Sequence, residues 1–308
     1  MTSDRLSDLL DLIEVRGVIS GGMAVRGPWG SESLLDGDLK FFAVAQGGMT
    51  VFTDGLEEPL RIGAGDVAVL NGRSWVRLEG SSGGGLPIQL DPPASGTFLR
   101  AGEGDAADVM LGGRAEIATA GRKLLLQALP PAACIRAGSA AAPRILPLVE
   151  LLFEEVSRRQ MGSAFAVQQY GQLLLLHVLR AFADAAELPP GVLKLLADER
   201  LRPALDVMHS RPAASWSLET LARACAMSRT AFAERFREVA GAPPRAYLNT
   251  WRMLVAQREL RHGDARIRPL ALELGFSSES SFSTAFKRSV GESPLQYRTR
   301  MREAVTAN

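Results

Sequence analysis

SFSTAFKRSVGESPLQY, Ser281 to Tyr297, spells an amphipathic helix that stops at a glycine, turns at a proline and reaches an aromatic. Fifty residues earlier AFAERFREVAGAPPRAY, Ala231 to Tyr247, spells nearly the same shape. Phe232 and Phe282, Phe236 and Phe286, Gly241 and Gly291, Pro244 and Pro294, and Tyr247 and Tyr297 all stand fifty apart. Upstream, Leu221-Ala222 matches Leu270-Ala271 and Met227 matches Phe276 at an offset of forty-nine, so the second copy gains one residue between its turn and its last helix. Each copy therefore reads as helix, tight turn, helix. Phe232, Phe236 and Val239 fall at i, i+4, i+7, and Phe282 and Phe286 with Ser289 or Val290 repeat that face, so each second helix packs one side and leaves the other in water. Gly275 can take positive φ at the second turn, where the first copy has Ala226 at an expected cost of about 1 kcal/mol.

Gly241 and Gly291 stand where helix ends favour glycine, with prolines soon after. Between the copies PRAYLNTWRMLVAQRELRH, Pro244 to His262, has no internal breaker, and nineteen residues of helix at ~1.5 Å each give a rod of ~28 Å. Such a rod can hold two recognition helices about one duplex turn apart, ~34 Å, so that one monomer enters two successive major grooves.

The last hundred or so residues are similar to the DNA-binding domain of the AraC/XylS family of transcriptional regulators, on the match of GFSSESSFSTAFKRSVGESPLQYR, Gly275 to Arg298. The resemblance implies double-stranded DNA as partner, and RNA polymerase as well if the protein activates. It places Arg229, Thr230, Ala233 and Glu234 of the first copy, and Glu279, Ser280, Ser283 and Thr284 of the second, against base edges. Arg229 suits a bidentate contact to guanine and Glu234 can accept from a cytosine amine. Glu234 and Thr284 stand where many relatives carry a long polar donor. Arg252, Lys287, Arg288 and Arg298 are the expected phosphate contacts, beside helix N-termini.

The chain of 308 residues is long enough for two domains plus connecting helices. From Leu205 to the end it carries 16 Lys and Arg against 10 Asp and Glu, a surplus of +6 where the rest of the chain holds −5, which suits an anionic partner for that end. The expected fold is multidomain α and β. Residues 1–142 read from their short strands as an antiparallel sandwich or small barrel, 143–190 as a helical connector, and 191–308 as an all-α double helix-turn-helix. LKFFAVA, MTVFT, GDVAVLNG and SWVRL supply the strands, SSGGG (Ser81 to Gly85) and the ASGTFLRAGEGDAAD segment read as loops, and VLKLLADERLRPALDVMHS (Val192 to Ser210) reads as one helix. The connector helices carry an apolar surplus that serves either a homodimer or burial against the chain's own sheet. SDLLDLIEVRG, RGPWG and GAGDVAVLNG resemble the cupin-type sensor domain of one branch of the same family, which implies that the N-terminal strands form an antiparallel β-barrel of cupin or jelly-roll type and that a small-molecule effector binds there.

A metal-dependent cupin enzyme is the rival reading, since that barrel often holds a metal on histidines. His177, His209 and His262 all lie outside the strand region, so neither metal nor cofactor is expected and no catalytic residue is assigned. Glu57, Glu58 and Asp66 sit in turn contexts and read as solvated. Trp29, Phe41, Phe42, Phe52 and Trp75 read as core rather than pocket, and no ligand site is nominated. Cys134 and Cys225 raise a redox-sensing regulator as a further alternative, against inert packing. No run reaches the ~20 apolar residues of a membrane span and no secretory signal is present, so a cytoplasmic protein is expected.

Overall fold

The computed structural model describes residues 4–13, 16–35, 39–80, 86–94, 96–103, 108–117, 119–158, 160–184, 188–262 and 265–306. Ser81 to Gly85, read above as a loop, lie outside the described residues. The strands are β1 (Arg16–Val25), β2 (Trp29–Leu34), β3 (Leu39–Gln46), β4 (Gly48–Thr53), β5 (Leu60–Gly63), β6 (Val67–Asn71), β7 (Trp75–Gly80), β8 (Ile88–Gln89), β9 (Thr97–Ala101), β10 (Asp108–Glu116) and β11 (Ala132–Ile135). The helices are α1 (Arg5–Ile13), α2 (Thr119–Leu126), α3 (Ala142–Arg158), α4 (Ser163–Ala183), α5 (Val192–Ala197), α6 (Arg202–Ser210), α7 (Leu218–Ala224), α8 (Arg229–Ala240), α9 (Pro244–His262), α10 (Ile267–Glu273), α11 (Glu279–Val290) and α12 (Pro294–Thr306).

Packing divides the chain into two units. The sheet unit comprises residues 15–116 and 129–186. Its strands form a six-stranded sheet in the order β11-β6-β3-β10-β1-β9 and a five-stranded one in the order β5-β4-β7-β2-β8. They make a two-sheet sandwich of the expected cupin-like kind, which among the described residues is not closed into a barrel, and the β1–β9 and β2–β8 pairs are parallel. Strand composition explains which sheet is covered twice. Apart from Lys40 and Asn71, LKFFAVA and VAVLN run apolar without alternation and are buried on both faces, because the second sheet lies on one side and α3 and α4 on the other. In β4 and β7 every second residue is buried, as befits a sheet with one wet face. Met23, Val25, Trp29, Phe42, Val44, Val51, Val76, Leu78 and Met110 form the shared core. The helices at 143–190 thus pack on this unit's own sheet rather than standing apart as a connector, and β9 falls within the stretch read as loop.

Two carboxylates tie the sandwich. Asp108, fully buried, accepts from Trp29 Nε1 at 2.9 Å and from the Gly48 amide at 3.0 Å. Asp66 accepts from the amides of Ala137 and Gly63 and pairs with Arg136 at 2.8 Å. Burial pushes its pKa up, but those amides and Arg136 outweigh it and hold the carboxyl below the usual range. The expectation that Asp66 is solvated fails, since a turn carboxylate found better donors in the protein; Glu57 and Glu58 are exposed.

The helical unit comprises residues 1–14, 117–128 and 187–308. It recruits α1 and α2, which the boundary at 142 assigned to the sheet half; both pack on α9. Arg5 bonds Asp206 at 2.6 Å, while Gly121 sits so close to Ile13 that a Cβ would stand 2.0 Å from it. The stretch from Val192 to Ser210 is two helices. Pro203, in the first turn of α6, lacks the N–H a continuous helix needs, and Asp198 accepts the Leu201 amide at 3.0 Å.

Candidate nucleic-acid interface

The repeat in the sequence becomes a repeat of atoms. Phe232 and Phe236 stand 5.7 Å apart at 53°, Phe282 and Phe286 5.7 Å apart at 52°. Phe236 meets the Tyr247 ring edge-on at 5.8 Å, and Phe286 meets Tyr297 edge-on at 5.6 Å. The turns agree bond for bond: Met227 N donates to Ala222 O at 2.9 Å, and Phe276 N to Ala271 O at 2.9 Å. Ala226 holds φ +52° where Gly275 holds +78°. α8 and α11 both end on a left-handed glycine, Gly241 and Gly291. Both begin on a capping serine: Ser228 accepts the Ala231 amide, and Ser278 forms a capping box with Ser281.

Burying Phe232, Phe236 and Val239 turns the opposite face of α8 outward. Arg229, Thr230 and Glu234 are exposed and Ala233 is half-buried. In α11 the same positions repeat it, with Glu279, Ser280 and Thr284 exposed and Ser283 half-buried. Thr284 Oγ1 bonds the Ser280 carbonyl at 2.9 Å, one turn back along its own helix. All eight candidates for base contact thus lie on the first two turns of two equivalent helices.

The four expected phosphate contacts divide. Lys287 and Arg288 are exposed, but in the last turn of α11 rather than beside a helix N-terminus. Arg252 is turned inward: its Nε donates to Pro212 O at 2.7 Å and its Nη2 to Ala214 O at 3.2 Å. Arg298 likewise donates to Ala265 O at 3.1 Å. Each holds the loop in front of a first helix, because an uncapped carbonyl beside a half-buried guanidinium is a nearer acceptor than solvent. Arg237, exposed in the last turn of α8, is a cation the sequence reading passed over. The offset of fifty that pairs the phenylalanines also pairs it with Lys287.

The two modules also touch away from α9. The loop 211–216, entering the first module, lies on the turn of the second, where a Cβ on Gly275 would stand 2.4 Å from Ala213 O. Arg252, reaching from α9 to that loop, lies over the Phe276 ring at 5.9 Å. Trp216 donates to Arg211 O at 3.1 Å and closes the loop on itself.

Residues 4–184 match the family model described as Cupin, and residues 221–300 match that described as Helix-turn-helix domain. A putative AraC-like transcription regulator of Streptomyces antibioticus is 34% identical over 303 residues, 96% of this chain and 98% of that one. The chain belongs to the AraC-like transcription regulators. A second such regulator, from Streptomyces lividans, is 33% identical across 96% of this chain and 98% of its own. The transcriptional regulator MtrA of Neisseria gonorrhoeae is 28% identical over the same shares. The DNA-binding domain of AdpA, solved with a target DNA, is 33% identical, covering 35% of this regulator and 96% of that domain with a TM-score of 0.33.

Among the described residues of this regulator no three His, Cys, Asp or Glu side chains stand where they could hold one metal ion. No described helix is long and apolar enough to cross a membrane. Burial pushes the Cys134 thiol up to about 11 and raises that of Cys225, the opposite of the lowered pKa that makes a cysteine a ready redox sensor.

Proposed function

We propose that the protein is a cytoplasmic transcription factor that reads specific duplex DNA with α8 and α11, under the control of a small-molecule effector held by its sheet unit. The observation that carries this is the repeat: two helix-turn-helix modules, alike to a few tenths of an ångström in their aromatic packing, each with the first turn of its second helix exposed. α9 and the loop 211–216 hold the modules as a fixed pair suited to two successive major grooves. Arg229, Thr230, Ala233 and Glu234, with Glu279, Ser280, Ser283 and Thr284, face base edges. Lys287, Arg288 and Arg237 face phosphates, while Arg252 and Arg298 act by holding loops. Two subunits associate through α3 and α4, whose exposed Leu151, Phe165 and Leu173 support that reading. An activator of this kind would present a further surface to RNA polymerase.

Selection of bound genomic fragments by the purified protein, followed by anisotropy titrations at two salt concentrations, tests the division of roles. Arg229→Ala is expected to lose about 1–3 kcal/mol of discrimination between the selected fragment and one mutated at the contacted base. Lys287→Ala should weaken every sequence alike and lower the salt slope by about one. Equal loss of discrimination from both changes, or no fragment enriched at all, would overturn the reading.

A further inference from the structure

The rod between the two modules is bedded differently along its length. In the first half of α9, Tyr247 meets Phe236 and Trp251 stacks on His209, so this half belongs to the body of the first module. In the second half Met253, Ala256 and Leu260, at i, i+3 and i+7, enter the core of the second module with Phe282 and Phe286. Arg261, in the last turn, lies off that face, and its Nη2 donates to the Leu12 carbonyl at 3.4 Å. Leu12 belongs to α1, and α1 and α2 both pack on α9 although neither is part of a helix-turn-helix.

α1 has nine residues, fewer than the ~12–15 at which a helix holds by itself in water. It is helical because it is docked. Asp4 caps it, accepting the Leu6 and Ser7 amides at 3.1 and 3.0 Å. Leu9, Leu12 and Ile13, at i, i+3 and i+4, are buried. Near its start Arg5 pairs with Asp206 of α6 at 2.6 Å, and near its end Leu12 takes Arg261. α1 therefore ties the body of the first module to the end of the rod from which the second module hangs. α2 seats it: Gly121 leaves the space that Ile13 fills, and just beyond α2 Ala128 lies so near Gly191 that a Cβ there would stand 2.7 Å away. Residues 14–15 and 117–118 join α1 and α2 in sequence to β1 and β10, which pair with one another. The helices on the rod are thus the ones that the sheet unit's chain leads into.

We propose that α1, seated by α2, is a splint on α9 that fixes the distance and angle between the two modules and so sets which operator spacing the regulator accepts. The proposal rests on the two-groove reading above. A stiff link between two binding modules favours one spacing and rejects its neighbours, whereas a loose one accepts several at lower affinity. With α1 docked the end of α9 is held from both sides. With α1 undocked the short helix melts, and the last turns of the rod keep only the second module's core.

The test uses the full chain and the fragment chosen by genomic selection, with one base pair inserted at the centre of the protected segment, which moves one groove against the other by about 3.4 Å and about 35°. The native chain is expected to lose about tenfold or more in affinity on insertion, and Leu9→Asp about threefold or less. Arg5→Asp should fall between them, and Arg5→Asp combined with Asp206→Arg should return toward the native discrimination. Amide exchange in Leu9→Asp should rise in α1 and the last turns of α9 while α8 and α11 stay protected. If Leu9→Asp does not fold, Arg5→Asp and its charge-swapped partner decide alone. A native chain that discriminates against the insertion while its α1 variants discriminate equally overturns the splint and leaves the two-groove reading standing. A native chain that binds both fragments alike, or enriches none, overturns both.

Discussion

The two helix-turn-helix modules share their internal packing and differ in what surrounds them. Behind the first lies a second layer. Gly191 N donates to Val239 O at 2.9 Å, Arg235 pairs with the buried Asp198 at 2.7 Å, and His209 bonds Tyr247 at 2.8 Å while stacking on Trp251 at 3.5 Å. Behind the equivalent Tyr297, the Arg300 guanidinium lies over the ring and pairs with Glu292 at 2.6 Å, both on the module's own last elements. One recognition helix is thus embedded in a larger helical body, and the other is carried on the far part of α9 with α12 as its backing. Equal signatures in sequence do not make equal stabilities, because a module's core is only as secure as the layer behind it.

The largest effect is expected from cutting the shared core. Phe236→Ala and Phe286→Ala each remove a fully buried ring and should cost about 3–5 kcal/mol. The consequences should differ. In Phe286→Ala, amide exchange should rise through α10 to α12 while α7 and α8 stay protected; in Phe236→Ala it should rise from α5 through α9. Matching exchange maps for the two variants would break the comparison.

Next is a pH effect confined to the first module. Burial holds the His209 pKa down to about 4, against an ordinary 6.5, with Asp8 and Asp206 pulling it up and Arg5 down. The unfolded chain therefore binds a proton between those values that the folded one refuses, so stability is full above pH 6.5 and falls as pH drops toward 4. The loss reaches about 3 kcal/mol. Denaturant titrations at pH 7.5 and 4.5 should show that difference in the native chain and much less of it in His209→Phe. Behind Tyr297 the second module has Arg300 over the ring and no histidine among its described contacts, and it should not follow.

The modules were legible in the sequence because their signal is local and doubled. Phenylalanines at i and i+4, a left-handed glycine and a following proline need no tertiary knowledge, and the offset of fifty checks each reading against the other. What surrounds them was not legible. Whether α1 and α2 join the helices or the sheets depends on contacts across more than a hundred residues, and no residue pattern in RLSDLLDLI names α9 as its partner. Arg252 shows the same limit at one position. A cation on a helix face reads as surface until the carbonyls of Pro212 and Ala214, forty residues away, take its hydrogens.

Gly275→Ala should come third. Its added Cβ meets the Ala213 carbonyl at 2.4 Å on a backbone already at φ +78°, so the loop 211–216 must give way. A loss of roughly 2–3 kcal/mol is expected, with a fall in affinity for the selected DNA larger than the fall in stability alone would cause, because the contact that phases the two modules goes with it.

The smallest effect has the opposite sign and explains why the two turns differ in residue. Ala226 holds the same left-handed backbone as Gly275, at φ +52°, but it is exposed, so its methyl has only its own backbone to strain against. That strain costs an L-residue about 1–2 kcal/mol, whereas glycine in its place returns part of the gain through the greater freedom of the unfolded chain, about 0.5–1 kcal/mol. Ala226→Gly should therefore stabilise the chain by at most about 1 kcal/mol, read as a higher denaturation midpoint at unchanged slope. Glycine is required at the turn that carries a neighbouring loop and is optional at the turn that carries none. Destabilisation by Ala226→Gly would mean that the alanine methyl makes a contact of its own, and the distinction between the two turns would fall with it.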